Sequence, residues 1–251
     1  MSLFEVENLR DRLARQKKYK EFKATYSTKY PQIPNKNTGK FWDEKFKSPE
    51  SLNEQDWMTK DKVNTVVSFL PKRKIKILDL GIGQGYLEQK LQELEAEHTI
   101  YGLDISKKVI KRLEKKFKGD FKAGDILKAD KFYKRNYFDV IVAIEVIEHI
   151  PPHKIFSFYK IIYLLLKKNG LFIISTPLNE GLRDMDINPS AHVREYTPEI
   201  LDAEFNLAGL KIEKIKTFIA FKNLYFIKKF IAKFTKKWKP NNIVIVAKKT
   251  S

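Results

Sequence analysis

No cysteine occurs among the 251 residues, so disulfides, thiolate zinc sites and cysteine nucleophiles are all excluded. Long apolar runs are missing too. The most hydrophobic stretches, such as FYKIIYLLLKKNGLFIIS, are broken by lysines, and no segment is expected to span a bilayer. The opening residues, MSLFEVENLR, are acidic and lack the apolar core of a secretory signal, so a cytoplasmic protein is expected. Glycine is scarce, ten residues in all, yet Gly81, Gly83 and Gly85 share one five-residue stretch. Acidic residues are also few, 31 against 49 basic, for a net charge of +18. That excess sits at the ends. Residues 1–40 carry ten basic and four acidic groups and residues 211–251 twelve lysines and one glutamate, leaving a net of only +1 for the 170 residues between. A biased genome composition that scatters solvated lysines, and a polyanionic partner, both account for such ends. The length suits one α/β domain with an appendage and is too short for two full domains.

The glycine cluster follows an apolar β-type run, ILDLGIGQGY from Ile77 to Tyr86. A buried strand ends near Asp79, a loop must lie flush against a bulky ligand, and a helix starts at about Tyr86. Such a turn alone is shared by several nucleotide-binding chemistries. Three more signals follow in order. HTIYGLDIS ends a second strand at Asp104, nineteen residues past Gly85, where a carboxylate suits a ribose diol. AGDIL sets Asp125, an acceptor for an exocyclic amine, beside Ile126, an apolar wall for a purine. FDVIVAIEVIEHI, from Phe138 to Ile150, is a fully apolar strand that runs into a charged cluster.

In this order the four segments resemble the class I S-adenosylmethionine-dependent methyltransferases, from about Phe41 to the C-terminus. The alternative, a dinucleotide-binding dehydrogenase, fits less well: the spacing is G-x-G-x-G, not G-x-G-x-x-G, with an acid two residues before the first glycine. The resemblance implies that Asp79, Gly81, Gly83, Gln84 and Gly85 surround the methionine part of the cofactor and that Asp104 takes the ribose hydroxyls. It further implies that Ile105 and Ile126 sandwich the adenine, that Asp125 accepts from its amino group, and that Ile144 completes the pocket wall.

Methyl transfer from a sulfonium is an in-line displacement, so the enzyme aligns the acceptor and removes its proton. A hydroxyl acceptor needs a base or a metal that lowers its pKa. EVIEHIP lies just past the fourth strand, at the carboxyl edge where ligands bind, and offers Glu145, Glu148 and His149. The E-x-x-E-H pattern resembles ubiquinone-pathway O-methyltransferases and small-RNA 2′-O-methyltransferases, which use it to hold a divalent metal such as Mg²⁺ or Mn²⁺. In the RNA group a histidine within H-x-x-E-W-T completes the site, and AHVREYT places His192, Glu195, Tyr196 and Thr197 in that pattern. The RNA group's preceding basic run is replaced by DMDINPSA. Thr176-Pro177 and H-x-R-x-Y-T also resemble bacterial methyltransferases that modify glycans or lipid-linked sugars. Glu145 and His149 are thus candidate catalytic residues, and Glu145, Glu148, His149 and His192 candidate metal ligands; a base without metal, and a purely structural pairing, are the alternatives. His153 is expected on the surface.

The expected fold is α/β, a Rossmann-like doubly wound and mostly parallel seven-stranded sheet ending in an antiparallel strand. Strands are predicted at 75–80, 99–103, near 121, 138–144 and 171–175, and helices at 86–95, 107–117, 153–168 and 198–208. Residues 1–70 are expected to form an N-terminal helical cap over the substrate and 71–251 the methyltransferase domain. Within the latter, 222–238 reads as an inserted amphipathic helix, with Leu224, Ile227, Ile231, Phe234 and Trp238 on one stripe and lysines around it. That helix suits an anionic membrane surface, core or subunit packing, or RNA. The expected function is transfer of a methyl group to a hydroxyl of a small molecule, sugar or lipid-linked glycan by a cytoplasmic enzyme, peripheral to the membrane if the basic helix binds it. The alternatives are a metal-dependent RNA 2′-O-methyltransferase and a non-catalytic cofactor-binding module recruited to a membrane or partner.

Overall fold

Seven strands and the helices between them follow the hydrophobic periods closely. The computed structural model describes residues 34–46, 57–182, 190–219, 231 and 238–250. Most of the expected 222–238 helix, and residues 1–33 and 47–56 of the expected cap, lie outside the described residues. The strands are β1 (Lys76–Leu80), β2 (Thr99–Asp104), β3 (Asp120–Ala123), β4 (Phe138–Ile144), β5 (Leu166–Pro177), β6 (Leu210–Phe218) and β7 (Asn242–Lys249). They form one sheet in the order β3-β2-β1-β4-β5-β7-β6. β1 to β5 pair in parallel, and β7 runs antiparallel to both β5 and β6.

The interiors of the central strands β1, β4 and β7 are apolar on both sides because helices cover both faces. Along β4, Ile141 and Ala143 join one core with Phe158, Tyr159 and Leu201, whereas Val140 and Val142 join the other with Val66, Leu87 and Leu91. This is the period of two expected of a strand. The first face is covered by α5 (Ile155–Leu165) and α6 (Pro198–Leu207), the second by α2 (Trp57–Ser68) and α3 (Tyr86–Glu93). Near β2 and β3, α4 (Lys107–Lys116) packs Val109, Leu113 and Phe117 against Ile82 and Phe121. A short α1 (Gly39–Lys45) precedes them.

Helix starts follow the side chains that satisfy their first N–H groups. Thr38, Ser106 and Thr197 accept from Phe41, Val109 and Ile200 at the starts of α1, α4 and α6. The largest differences from expectation lie together: α5 stops at Leu165 and not at 168, and β5 starts at Leu166 and not at 171. Leu166 already pairs with Phe138, and Asn169 takes φ 61°, a left-handed turn that no helix continues through.

The order β2-β1-β4 reverses the direction of winding between β1 and β4. Ligands of open α/β sheets bind outside the carboxyl ends of the strands at such a switch point. Asp79, Asp104 and Ile144 all lie at or near those ends.

Candidate cofactor pocket and side-chain cluster

β1 ends at Leu80, and the loop that follows holds Gly81, Gly83 and Gly85 at φ 72°, 57° and 77°. This left-handed region favours glycine, and at Gly81 and Gly85 space forbids a side chain as well. A Cβ on Gly81 would stand 2.7 Å from Val146 Cγ2, and one on Gly85 2.6 Å from Leu113 Cδ2. The loop is fastened from below. Asp104 accepts the Gly83 N–H at 3.0 Å and the Ser106 N–H at 2.8 Å, and Arg112 donates to the Gly83 carbonyl at 2.9 Å.

Above the loop lies a cavity of about 670 Å³, within the range of small-molecule sites. Asp79, Gly81, Gly83, Gln84, Asp104, Ile105, Asp125, Ile126 and Ile144 all line it. Gly85 is the exception among the expected cofactor residues. It caps α3 and faces Leu113 and Phe117, so its glycine is required by packing behind the wall. Asp125 spends one oxygen on the Leu127 N–H at 2.9 Å, which fixes the carboxylate at the pocket edge. Burial pushes the Asp104 carboxyl up, against the pull of its two N–H donors and Arg112.

Asp79 is 3% exposed and Glu88, in the first turn of α3, is 1% exposed. Burial and the neighbouring Glu88 and Asp104 charges hold Asp79 well above the usual carboxylate range. Burial pushes Glu88 up to about 7.

The EVIEHI segment divides in two. Glu145, at φ 56°, also lines the cavity, but its carboxylate is taken by Lys62 at 2.9 Å and by the Ser175 hydroxyl at 2.7 Å. Lys62 comes from α2, is 2% exposed and also donates to Asn242. Glu145 therefore does not join the expected metal group in this structure, because an internal ammonium already neutralises it. The same pairing makes it a poor candidate base.

Glu148, His149 and His192 do come together, with one ligand atom from each within 4.8 Å of the others. The chain brings His192 there through backbone: the Val193 and Arg194 N–H groups both donate to the Glu148 carbonyl, at 2.9 and 3.2 Å. Arg194 is in turn buried against Glu204, which also accepts from Tyr159 at 2.9 Å. The His149 and His192 rings meet edge-on at 4.8 Å, and Trp42 stands edge-on to the far side of His149 at 5.1 Å.

The donor set fits a divalent cation. Glu148 is fully buried, its Oε2 accepts from Thr176 at 3.1 Å, and its Oε1 has no hydrogen-bond partner. Burial, then repulsion from Glu145, holds it well above the usual carboxylate range, a state that a cation would relieve. His149 Nδ1 lies 3.3 Å from the Ala191 carbonyl and His192 Nδ1 lies 2.8 Å from Glu180. Both acceptors place the proton on Nδ1 and the lone pair on Nε2, the tautomer a ligating histidine needs. Burial, with His192 close by, pushes His149 down to about 3, so it stays neutral throughout the physiological range.

Sequence reasoning missed several members of the site. Trp42, Lys45 and Phe46 of the FWDEKF segment line the cavity, as does Asn37, which donates to the Ala191 carbonyl at 2.9 Å. The aromatic residues were visible as a cluster; Lys62, Glu88 and Glu180 carried no local signal.

The methyltransferase domain family matches residues 71–217, more than half of the chain. The chain belongs to that family. A ubiquinone biosynthesis O-methyltransferase of Pelagibacter ubique is 33% identical over 147 residues, covering 57% of this chain and 53% of the relative. The chain thus spans about half the length of this curated methyltransferase. Among solved structures, a SAM-dependent methyltransferase from Archaeoglobus fulgidus superposes with a TM-score of 0.62 at 21% identity, covering 80% of this chain and 97% of that one. A Burkholderia thailandensis 1,6-didemethyltoxoflavin-N1-methyltransferase with bound S-adenosylhomocysteine gives 0.61 at 18% identity, covering 88% and 92%. These likenesses show the class I methyltransferase fold. Among the described residues, no helix is long and apolar enough to cross a membrane.

Proposed function

We propose that the protein is an S-adenosylmethionine-dependent O-methyltransferase whose acceptor is a hydroxyl of a small molecule, sugar or lipid-linked glycan. The observation that carries this reading is the adjacency of two sites: the glycine-loop cavity and the Glu148, His149, His192 cluster that adjoins it through His149. In this reading Asp104 receives the ribose hydroxyls, Ile105 and Ile126 hold the adenine, and Asp125 accepts from its amino group. Asp79 and the glycine loop take the methionine half.

Glu148, His149 and His192 would hold a divalent ion, which when bound lowers the pKa of a hydroxyl placed on it. As a free base His149 is weak, since a conjugate acid near 3 draws little proton at neutral pH. Its neutral imidazole suits ligation better. Glu180 behind His192 fixes the ring and keeps the proton off its far nitrogen. The ubiquinone-pathway relative supports oxygen as the acceptor atom.

An RNA 2′-O-methyltransferase is the second reading, favoured by the same side-chain cluster and by the strongly basic chain ends. A steep loss of RNA affinity between low and moderate salt separates it from the first. Peripheral contact of residues 222–238 with an anionic membrane is compatible with the lipid-linked acceptor.

The test is calorimetric titration of EDTA-treated protein with Mg²⁺ and Mn²⁺, on the wild type and on His149→Ala. The reading expects one divalent site that His149→Ala weakens by at least about tenfold, the usual scale for losing one ligand-shell partner. A wild type that binds neither ion returns His149 to a structural role.

A further inference from the structure

We infer that Glu88 is a positioning residue of the cofactor site: with Asp79 it forms a one-proton carboxyl pair beneath the glycine loop, and S-adenosylmethionine displaces that proton on binding. The inference rests on the reading of the cavity as a cofactor pocket.

Asp79 belongs to β1 and Glu88 to α3, and the fold buries the two carboxyls as neighbours, Asp79 raised by burial and by the Glu88 charge, with Glu88 Oε2 lying under the Gly85 turn. No other residue donates a well-formed N–H or O–H hydrogen bond to Asp79 Oδ1 or to either oxygen of Glu88. Two neighbouring acceptor groups, both almost fully buried, have a stable arrangement only when one proton lies between them. The surrounding charges reinforce this. Asp104 of β2 adds a negative charge; Arg112 of α4 is committed to Asp104 and the Gly83 carbonyl; Asp43 of α1 lies beyond Asp104, bound to Ser106. Around the pair itself the packing is apolar, with Leu113 and Phe117 of α4 against the Gly85 turn.

Only Asp79 of the pair lines the cavity. The methionine half of S-adenosylmethionine brings an ammonium and a sulfonium to that wall, and the donor carries a net positive charge that the product lacks. A cation against Asp79 favours the doubly ionised pair, so the shared proton leaves to solvent. Glu88 is held ready for ionisation by its place in the first turn of α3, where the helix dipole favours a carboxylate. Its contribution is to let the site change its charge by one unit when the sulfonium arrives and to favour donor over product.

The experiment is isothermal titration of the full-length protein with S-adenosylmethionine and with S-adenosylhomocysteine, at pH 6 and pH 8. Phosphate and imidazole serve as buffers, because both act across this range and their different ionisation enthalpies reveal protons released. The wild type is expected to release close to one proton per S-adenosylmethionine at the lower pH and almost none at the higher. The donor's Kd should tighten by up to about tenfold per pH unit in between, and the product's by less. Glu88→Gln keeps one negative charge with a permanent donor to Asp79. It is expected to bind more weakly than the wild type, with the same affinity at both pH values, and to release no proton. Donor binding by the wild type without proton release overturns the inference while leaving the cofactor reading intact, and needs no variant to fold. Undiminished release from Glu88→Gln overturns it equally. Failure of the wild type to bind either compound removes the cofactor reading and this inference with it.

Discussion

Replacing Glu204 by glutamine tests how the fold holds His192 beside Glu148. Glu204 is 0% exposed, pairs with the buried Arg194 and accepts from Tyr159. The segment carrying His192 is therefore pinned at Arg194 by a buried ion pair and at the Glu148 carbonyl by two backbone bonds. Glu204→Gln keeps the volume but leaves a guanidinium buried without its carboxylate. Breaking a buried pair from one side costs about 3–5 kcal/mol. In a chain of this size each kcal/mol lowers Tm by about 2–4 °C, so a fall on the order of 10 °C is expected. The assay is thermal and urea unfolding of the wild type, of Glu204→Gln and of a double variant, Arg194→Met with Glu204→Leu. Removing both charges should recover most of the loss, because the cost lies in separating the buried guanidinium from the Glu204 carboxylate. If Glu204→Gln melts within about 2 °C of the wild type, less than one kcal/mol on the same scale, the ion pair does not anchor the segment and the reasoning fails.

Other outcomes follow from the same geometry. Gly81→Ala drives a methyl group into Val146 and strains a positive φ; a loss of about 2–4 kcal/mol in urea midpoint analysis is expected, together with loss of S-adenosylhomocysteine binding. Asp104→Ala removes the acceptor assigned to the ribose and a tether of the glycine loop, and should weaken S-adenosylhomocysteine by about 10–100-fold in calorimetry. The His149 ring, already neutral, is expected to show no proton-NMR titration between pH 5 and pH 8 in metal-free protein; a midpoint near 6.5 would contradict its burial. In the ligand-free protein Glu88 keeps its proton in the folded state after the unfolded chain has released it, so its own contribution to stability is lost as pH rises from about 4.5 toward about 7, while His149, held neutral, acts in the opposite sense below about 6.5. Glu88→Gln should flatten that part of the Tm profile.

The sheet and the wall of the glycine-loop cavity were legible because they are written locally. β1, β2 and β4 are largely apolar runs that stop at a glycine or a candidate acid, and the intervening helices carry their own period. The E-x-x-E-H segment was equally visible, and its join with His192 followed from the resemblance. What was not legible depends on residues far apart in the chain. Lys62 lies eighty-odd residues before Glu145 and meets it only because α2 packs at the carboxyl edge of the sheet, so no spacing announces that the first glutamate is already neutralised. Glu88 is close to Asp79 in sequence, but a glutamate in the first turn of a helix reads as a solvated residue. The end of α5 was misplaced because FYKIIYLLLKKNGLFIIS has no break before Asn169, and strand pairing of Leu166 overrides the helical period there. Gly85 was grouped with the ligand-facing glycines by its spacing, whereas its packing partners are Leu113 and Phe117.

The central claim is that the glycine-loop cavity is a working S-adenosylmethionine site. Calorimetric titration of the purified protein with S-adenosylhomocysteine tests it most directly. One site per chain with micromolar affinity is expected, lost in Gly81→Ala; no detectable heat or competition by the wild type at millimolar ligand would contradict it.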